Sequence, residues 1–255
     1  MTIQTRSKFY YDFQINKDQY KLAFNEGGPL LRASLNVKRY AMSELATEVA
    51  RAMTDVGGQE YSCTVDRVTR VFTISAPSNF TLKFTDSDAD ANQVIGFSDV
   101  DLTGSNSYSG DFAAGKEFIP QFKLQDFIDF SDNQEASSAS VQKSASGKVE
   151  VVSFGLDEFA SLNIQYQTDQ TMPNGAPIES NPNGVSDLRN FMIYAITKGN
   201  FEFIPDRDAP GNYSKVILER SATNQQGVGF RLKELYGRGL PGYFESGRII
   251  LRKIS

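Results

Sequence analysis

Residues 160–167 read ASLNIQYQ, and this stretch indicates the fold more clearly than any other. Its apolar side chains are Ala160, Leu162, Ile164 and Tyr166, and they alternate with Ser161, Asn163, Gln165 and Gln167. Because successive side chains of a β-strand point to opposite faces, the pattern predicts a strand with one buried and one wet face. Such a strand is typical of an antiparallel sheet solvated on one side, or of a β-sandwich.

The same alternation predicts strands along most of the chain. Phe9, Tyr11, Phe13 and Ile15 share one side of a predicted strand, and the period resumes at Tyr20, Leu22 and Phe24 after the polar turn 16–19. Residues 9–25 are therefore predicted to form a β-hairpin. Further predicted strands span residues 61–66, 71–75, 80–84, 118–124, 148–154, 201–204, 214–219 and 248–254.

Two segments have helical spacing instead. The first, 43–56, is predicted to begin at a Ser43 cap with Glu44 in its first turn, and to end at Gly57-Gly58. Its apolar face is formed by Met42, Leu45, Ala46, Val49, Ala50 and Met53. The second, 187–198, is predicted to begin at Ser186 or Asp187 and to stop at Gly199. Its apolar residues are Leu188, Phe191, Met192, Ala195 and Ile196.

Two helices among many strands, without regular β-α alternation, predict the α+β class with predominantly antiparallel β-structure. Segments 98–116, 131–147 and 169–185 have no periodic pattern. The Ser-rich segment 131–147 has almost no large apolar side chain, so it is predicted to be a linker or extended arm. It would separate residues 1–130 from 148–255, two sandwich-like or barrel-like halves with one helix each. A loop inside a single domain is the alternative.

Composition removes several function classes. The 255 residues include no His, no Trp and one Cys, so the commonest general base and metal ligand is absent. Cys63 has no partner for an intrachain disulfide and is predicted to be a buried, inert thiol. The net charge of −5 gives no support to specific nucleic-acid binding, and the basic C-terminal residues Arg248, Arg252 and Lys253 are expected to be solvated. The chain has no apolar signal core or membrane-length apolar run, so we expect a soluble protein without membrane insertion, folding in a reducing cytoplasm.

Residues 110–117, GDFAAGKE, come close to a phosphate-binding loop. Gly110, Gly115 and Lys116 match the pattern, but Glu117 occupies the position of the Ser or Thr that binds magnesium. A polar segment precedes the motif in place of a buried strand, and Pro120 disfavours a following helix. The segment is therefore predicted to be a turn that leads into strand 118–124.

Residues 86–92, DSDADAN, place Asp86, Asp88 and Asp90 at the alternate spacing of a calcium loop. Ala91 stands where that loop needs Gly, and Phe97 stands where it needs a bidentate Glu. A solvated acidic loop is the favoured interpretation, and a variant calcium site remains the alternative.

The pair Asp206 and Asp208, next to Arg207, is a formal candidate for glycoside cleavage. Residues two apart on an extended segment point the same way and do not flank a substrate, so a turn after strand 201–204 is predicted. No catalytic, cofactor-binding or metal-binding residue is predicted, and no cofactor. The sequence predicts a protein that is not an enzyme.

Several stretches together resemble structural proteins of tailed-bacteriophage virions. SELATEVARAMTDVGGQEYSCTVDRVTRVFTIS, followed by FTLKF and VIGF, resembles a module of a short helix, a hairpin and a closing Gly-Phe in such proteins. SASGKVEVVSFG and LRNFMIYAITKGNFEFIPD are similar to tail and tail-tip proteins. The resemblance covers residues 42–97 and 144–253, and it contributes no catalytic residues.

The resemblance implies a structural component of the virion, synthesised in the host cytoplasm. The leading hypothesis is a tail ring or adaptor subunit near the distal tail or baseplate. It would form a homo-oligomeric ring and contact tube, tip and fibre proteins through loops and sheet edges. A head-to-tail connector, a tail terminator or a capsid-associated protein is the first alternative, and a carbohydrate-binding tail-tip protein is the second.

Overall fold

The computed structural model describes residues 7–120, 131–136, 139–143, 149–153, 156–164, 167–169, 184–197, 199–219, 232–234 and 242–254. Within them the chain forms mostly antiparallel β-strands and two α-helices, α1 (Met42–Val56) and α2 (Val185–Ile196). The predicted α+β class with predominant β-structure is confirmed. The strands fall into two compact units.

The first unit comprises the described residues within Arg6–Phe118 and Gly199–Tyr213. Its strands are β1 (Lys8–Tyr11), β2 (Phe13–Gln14), β3 (Lys21–Asn25), β4 (Leu31–Ser34), β5 (Arg39–Tyr40), β6 (Ser62–Val65), β7 (Phe72–Leu82), β8 (Leu102–Ser109), β9 (Lys116–Phe118) and β14 (Phe201–Ile204). A five-stranded antiparallel sheet has the order β4-β3-β7-β6, and β8 pairs with the opposite side of β7.

Helix α1 packs against this sheet through its apolar face. Met42, Leu45, Val49 and Met53 are each fully buried. The helix begins one residue before the prediction, because Glu44 and not Ser43 caps it: the Glu44 carboxylate accepts a hydrogen bond from the Ala41 N–H at 3.0 Å. This contact satisfies a backbone donor at the helix entry.

A smaller antiparallel ribbon has the order β14-β1-β9. Phe9 pairs with Phe203 on one side and Phe118 on the other, and its ring lies 5.3 Å and 6.1 Å from theirs, between centroids. The predicted hairpin at 9–25 is therefore wrong apart from its turn, which closes with a bridge between Asn16 and Gln19. Asp12 has a φ of 70°, and this left-handed residue interrupts the alternation between β1 and β2.

The second unit comprises the described residues within Ile119–Lys198 and Ser214–Ser255. Its strands are β10 (Ser131–Ala136), β11 (Ala139–Lys143), β12 (Val149–Ser153), β13 (Leu156–Asn163), β15 (Ser214–Leu218), β16 (Lys233–Glu234), β17 (Phe244–Glu245) and β18 (Arg248–Lys253). Antiparallel pairing joins β10 to β13, β13 to β18, and β18 to β15, while β11-β12 and β16-β17 form separate pairs. Helix α2 contacts β15.

Strand β13, which contains residues 160–163 of the strand predicted at 160–167, pairs with β10 on one side and with β18 on the other. In β13, Ala160 and Leu162 are buried and pair with Leu251 and Ile249 of β18. Helix α2 begins two residues before the prediction and ends at Ile196, with Thr197 and not Gly199 as its C-cap. At its start, Asp187 accepts a hydrogen bond from the Gly184 N–H at 3.1 Å.

The predicted domains differ from the two units. Segment 131–147 was expected to link two halves, yet it contains β10 and β11. Residues 199–213 were expected in the second half, yet β14 pairs with β1 in the first unit, where Phe201 and Phe203 are buried. Backbone ladders need few apolar side chains, so a Ser-rich segment can still form strands.

Other boundaries also shift. The irregular segment 98–116 contains β8, and the two predicted strands at 71–75 and 80–84 are one continuous strand, β7. The strand expected at 118–124 begins at Lys116 as β9, and residues 121–124 lie outside the described part, as does most of 169–185.

Candidate functional site

Strand β8 is an outer strand of the five-stranded sheet. It pairs with β7 from Leu82↔Leu102 to Thr73↔Ser109, and no strand in the described part of the chain lies along its other side. Its sequence, LTGSNSYS, contains no charged residue and no proline. Charges and prolines on edge strands prevent pairing with other chains, and β8 lacks both, although its ladder with β7 has two register shifts.

Aromatic packing holds β8 on the sheet. The Tyr108 hydroxyl donates to the Phe80 carbonyl at 2.7 Å and accepts from the Ser105 N–H at 2.9 Å. The rings of Tyr108 and Phe80 meet edge to face with centroids 5.0 Å apart. The same edge-to-face contact continues through Tyr61 to Phe24, which reaches β3. Such pairs add stability beyond their buried area.

A carboxylate anchors the chain just outside each end of β8. Asp101 accepts from Lys83 Nζ at 2.8 Å and from the Thr85 N–H at 3.1 Å. Asp111 accepts from the Ser98 hydroxyl, and from the Ser98 N–H at 3.0 Å. The bond from Lys83 lowers the pKa of Asp101, and the bond from the Ser98 hydroxyl lowers the pKa of Asp111.

The solvent face beside β8 consists of hydroxyl groups. The register of β6, β7 and β8 places Ser62, Ser75 and Ser107 in one row, and Thr64, Thr73 and Ser109 in the next. Ser75 and Ser107 hydroxyls are 2.7 Å apart, and those of Thr73 and Ser109 are 2.9 Å apart. These rows give the surface beside β8 an uncharged, hydroxyl-rich character.

Charged side chains lie along β4, another outer strand of the same sheet. Arg32 Nε lies 2.9 Å from Asp88, and Arg32 Nη2 lies 3.5 Å from Asp86. Arg51 of α1 donates to the Ser34 carbonyl at 3.4 Å, which occupies a backbone acceptor of β4. The two edges of one sheet are therefore chemically different.

The acidic loop 86–92 docks on this covered edge. Asp90 accepts from the Lys21 N–H at 2.7 Å, and the carboxylates of Asp86 and Asp88 face Arg32. Among the described residues, no group of three Asp, Glu or Cys side chains converges as a metal site would require. Asp86 and Asp88 thus share Arg32, whereas Asp90 binds the Lys21 N–H.

The phosphate-loop pattern at 110–117 forms a bend followed by β9. A Cβ at Gly115 would lie 2.5 Å from the Phe13 ring, and one at Gly110 would lie 2.6 Å from the Gly96 carbonyl. Close packing therefore explains both glycines. Lys116 pairs with Asp12 at 2.8 Å, and Glu117 lies 3.6 Å from Lys8.

Asp206 and Asp208 lie in the predicted turn. Asp206 accepts from the Asp208 N–H at 3.1 Å, and the Asp208 carboxylate is 3.9 Å from Arg207. The turn needs these contacts, and the two carboxylates face no common cavity in the described residues.

Glu202 is an acid that the sequence analysis missed. Its fully buried carboxylate accepts from Arg67 at 2.6 Å and from the Ser43 N–H at 3.4 Å, and the Arg67 guanidinium stacks on Tyr213. Burial raises the pKa of Glu202, although Arg67 opposes the shift. Since both oxygens have partners, Glu202 joins β14 to the start of α1 as a structural group. The sequence FEFI at residues 201–204 predicted a buried strand, but it did not show that Arg67 would pair with Glu202.

Two smaller predictions concern single residues. Cys63 is half-buried against the core, and burial raises the pKa of its thiol to about 12, which keeps it protonated. Two of the three basic C-terminal residues are paired rather than only solvated, since Arg252 Nε lies 2.6 Å from Glu219 and Lys253 lies 3.1 Å from Glu158, while Arg248 is exposed.

Comparison with known proteins gives no family for this chain, because no family model matches it and no curated protein does either. Within the described residues, no helix has both the length and the apolar character needed to span a bilayer. The features of the described residues that bear on function are the open side of β8 and the residues around it.

Proposed function

We propose that this protein is a structural subunit of a tailed-bacteriophage virion, most specifically a ring or adaptor subunit near the distal tail or baseplate. Two independent observations support the proposal. The first is the resemblance of residues 42–97 and 144–253 to virion proteins. The second, which carries the mechanism, is the eight-residue edge strand β8, which lacks charge and proline.

Assembly would proceed by strand addition. A strand of a neighbouring copy, or of another tail protein, aligns with the open side of β8 and forms a new ladder of backbone hydrogen bonds. The side chains of β8 that face solvent, including Thr103 and Asn106, would lie against the added strand's side chains. Heterologous contacts of this kind close into a ring when the rotation between copies allows it.

In this proposal the protein performs no covalent chemistry of its own. The formal candidates for chemistry, the 86–92 loop, the 110–117 bend and the Asp206–Asp208 turn, are each accounted for by contacts within the first unit. The same edge would serve a head-to-tail connector, a tail terminator or a capsid-associated protein, so position in the particle has to be measured.

The proposed edge is tested by placing charge on it. Thr103→Lys combined with Asn106→Lys adds two cations to exposed positions of β8 that have no register partner in β7. Val37→Lys combined with Val68→Lys adds the same charge at residues that are 50% and 65% exposed and lie away from β8. Analytical ultracentrifugation would compare the wild type with both variants.

We expect the wild-type chain to form an oligomer of defined size, the β8 variant to be monomeric, and the control variant to assemble. A wild type that is monomeric at all concentrations, or a β8 variant that assembles normally, contradicts assembly through this edge. The virion assignment has its own test. A tagged copy should co-purify with tails in fixed stoichiometry, and its absence from purified particles would refute it.

A further inference from the structure

A polar cavity of about 390 Å³ opens on the first unit, and no residue of β8 lines it, although Phe112 follows the end of that strand by three residues. Four carboxamides line it, Gln14, Asn16, Gln19 and Gln93, together with the Asp12–Lys116 ion pair and Phe112. Its volume lies within the range of small-ligand sites, which extends from about 300 to 1,000 Å³.

Three of the four carboxamides are held by side-chain hydrogen bonds before any ligand binds, and Gln19 is held through its backbone. Gln14 donates to Asn16 at 2.5 Å and accepts from Arg39 Nε at 3.2 Å, and Gln93 donates to Asp99 at 3.0 Å. Asn16 and Gln19 close a four-residue turn through the hydrogen bond from the Gln19 N–H to the Asn16 carbonyl, 3.1 Å long. Fixed polar groups bind a ligand with a smaller loss of entropy than mobile ones.

The charges of the cavity cancel. Asp12 and Lys116 form an ion pair of 2.8 Å, and the remaining polar lining residues are neutral amides. An amide side chain both donates and accepts hydrogen bonds, and so does a hydroxyl group. The lining is therefore matched to a neutral ligand rich in hydroxyl groups rather than to a phosphate or a metal ion.

Phe112 supplies the apolar side of the cavity. Its side chain is 44% exposed, although its backbone is fixed by a hydrogen bond from its N–H to the Gly96 carbonyl at 3.2 Å. A ring that faces water beside polar groups presents a flat surface on which the C–H face of a sugar can stack.

The backbone at the cavity is strained. Asp12 has a φ of 70°, a conformation that is uncommon for a residue with a side chain, and it stands directly beside β9 with its partner Lys116. Such conformations occur at functional sites, although Asp adopts them more readily than most residues. Here this conformation directs the carboxylate toward Lys116 at the cavity wall.

We infer that this cavity binds a single neutral pyranose unit, with the carboxamides bonding its hydroxyl groups and Phe112 stacking on its apolar face. The site is separate from the assembly edge, and the inference does not depend on the proposed function. In a virion it would give each subunit a weak contact with a surface glycan, and many copies in one particle would add their contacts.

Titration followed by NMR tests the inference directly. The probes are the methyl glycosides of glucose, galactose and N-acetylglucosamine, with methyl glucuronide as a charged comparator and glycerol as a non-specific polyol. We expect one neutral glycoside to shift the side-chain NH₂ signals of Asn16 and Gln19 saturably, with a Kd on the order of 1 mM. Glycerol should give no saturable shift.

Two variants locate the site. Phe112→Ala should weaken binding about fivefold through loss of stacking. Val100→Ala truncates another exposed apolar residue, 57% accessible and outside the cavity, and should change nothing. The Thr103→Lys/Asn106→Lys variant should bind normally, so failure of assembly and failure of sugar binding are distinguished.

Three results would overturn the inference. The first is no saturable shift with any neutral glycoside up to a concentration on the order of 100 mM. The second is binding of the glucuronide alone, which would assign the cavity to an anion. The third is glycoside binding that Phe112→Ala leaves unchanged, because the sugar would then lie elsewhere.

Discussion

Two of the three outer strands of one sheet, β8 and β4, differ in how they meet solvent; the third, β6, pairs only with β7 among the described strands. Two arginines and an acidic loop cover β4, with Arg32 on Asp88 and Arg51 on the Ser34 carbonyl. Strand β8 has no charged side chain, and the structure describes no element along its open side. The proposed pairing of β8 with a partner strand requires this asymmetry, because charge on an edge strand disfavours pairing with another chain.

The two strands also differ in the contacts that hold them on the sheet. Strand β4 contacts both β3 and α1, whereas β8 is attached through β7, through Tyr108 and through the aspartates just outside its two ends. An edge that recruits a partner has to be flat and accessible, yet it must stay on its own sheet. Strand β8 meets both demands by placing its anchors on the buried face and at its ends.

The largest expected effect comes from removing the Tyr108 anchor. Tyr108→Ala deletes a buried ring and leaves the Phe80 carbonyl without its hydroxyl donor, so the free energy of unfolding should fall by about 3–5 kcal/mol in urea. Tyr108→Phe keeps the ring and should cost about 1–3 kcal/mol. If the two variants were equally destabilised, the ring contact would contribute nothing and the anchor would be the hydroxyl alone.

The second largest effect is expected at acidic pH, which should weaken the attachment of β8 to its sheet. The pKa of Asp101 and that of Asp111 are lowered from 3.8, so the native state binds fewer protons than the unfolded state just below that value. The part of the free energy of unfolding that these two carboxylates contribute is therefore present above pH 3.8, and it is lost as the pH falls through their lowered pKa values. The loss should be about 1–2 kcal/mol, because both groups are partly solvated.

Urea titrations at several pH values would measure this loss. Asp101→Asn combined with Asp111→Asn should flatten the acid limb, whereas Asp18→Asn, in an exposed turn, should leave it unchanged. An acid limb that persists in the double variant would show that other carboxylates carry it.

Gly104 gives a smaller test of the same strand. It lies in β8 with a φ of 85°, at a register shift between β7 and β8, and a Cβ there would meet no atom within 4 Å. Gly104→Ala should therefore cost about 1 kcal/mol, from backbone strain alone. Ser107→Ala, on the same strand, should stay within about 0.5 kcal/mol. A loss at Gly104 well above this range would mean that the open side of β8 is already occupied.

The sequence predicted the elements whose apolar spacing is strong. Helix α1 was predicted within one residue, because Leu45, Val49 and Met53 recur at helical spacing and are all buried. Residues 160–163 of the strand predicted at 160–167 lie in β13 for the same reason, and residues 165–166 lie outside the described part of the chain. Burial leaves a periodic trace in the sequence that needs no knowledge of the partner.

The sequence did not predict β8, nor which strands pair. In β8 only Tyr108 is buried, and Gly104 interrupts the alternation, so the segment resembles a polar loop. Pairing of β1 with β14 joins residues far apart in the chain, and the local turn at 16–19 suggested a nearer partner. The absence of charge in LTGSNSYS was readable, but that β8 is an edge follows only from the sheet order.

The smallest expected effect concerns the protected edge. Arg32 is 43% exposed, so Arg32→Ser should change the free energy of unfolding by less than about 1 kcal/mol. The more informative measurement is whether the variant chain associates with other copies of itself. Placed in the Thr103→Lys/Asn106→Lys background, where β8 no longer pairs, Arg32→Ser should restore weak, concentration-dependent self-association through β4, detectable by sedimentation velocity. A variant that stays monomeric would show that charge is not what distinguishes the two edges. The pairing capacity of β8 would then have to come from its shape, that is, from the flat hydroxyl face beside it.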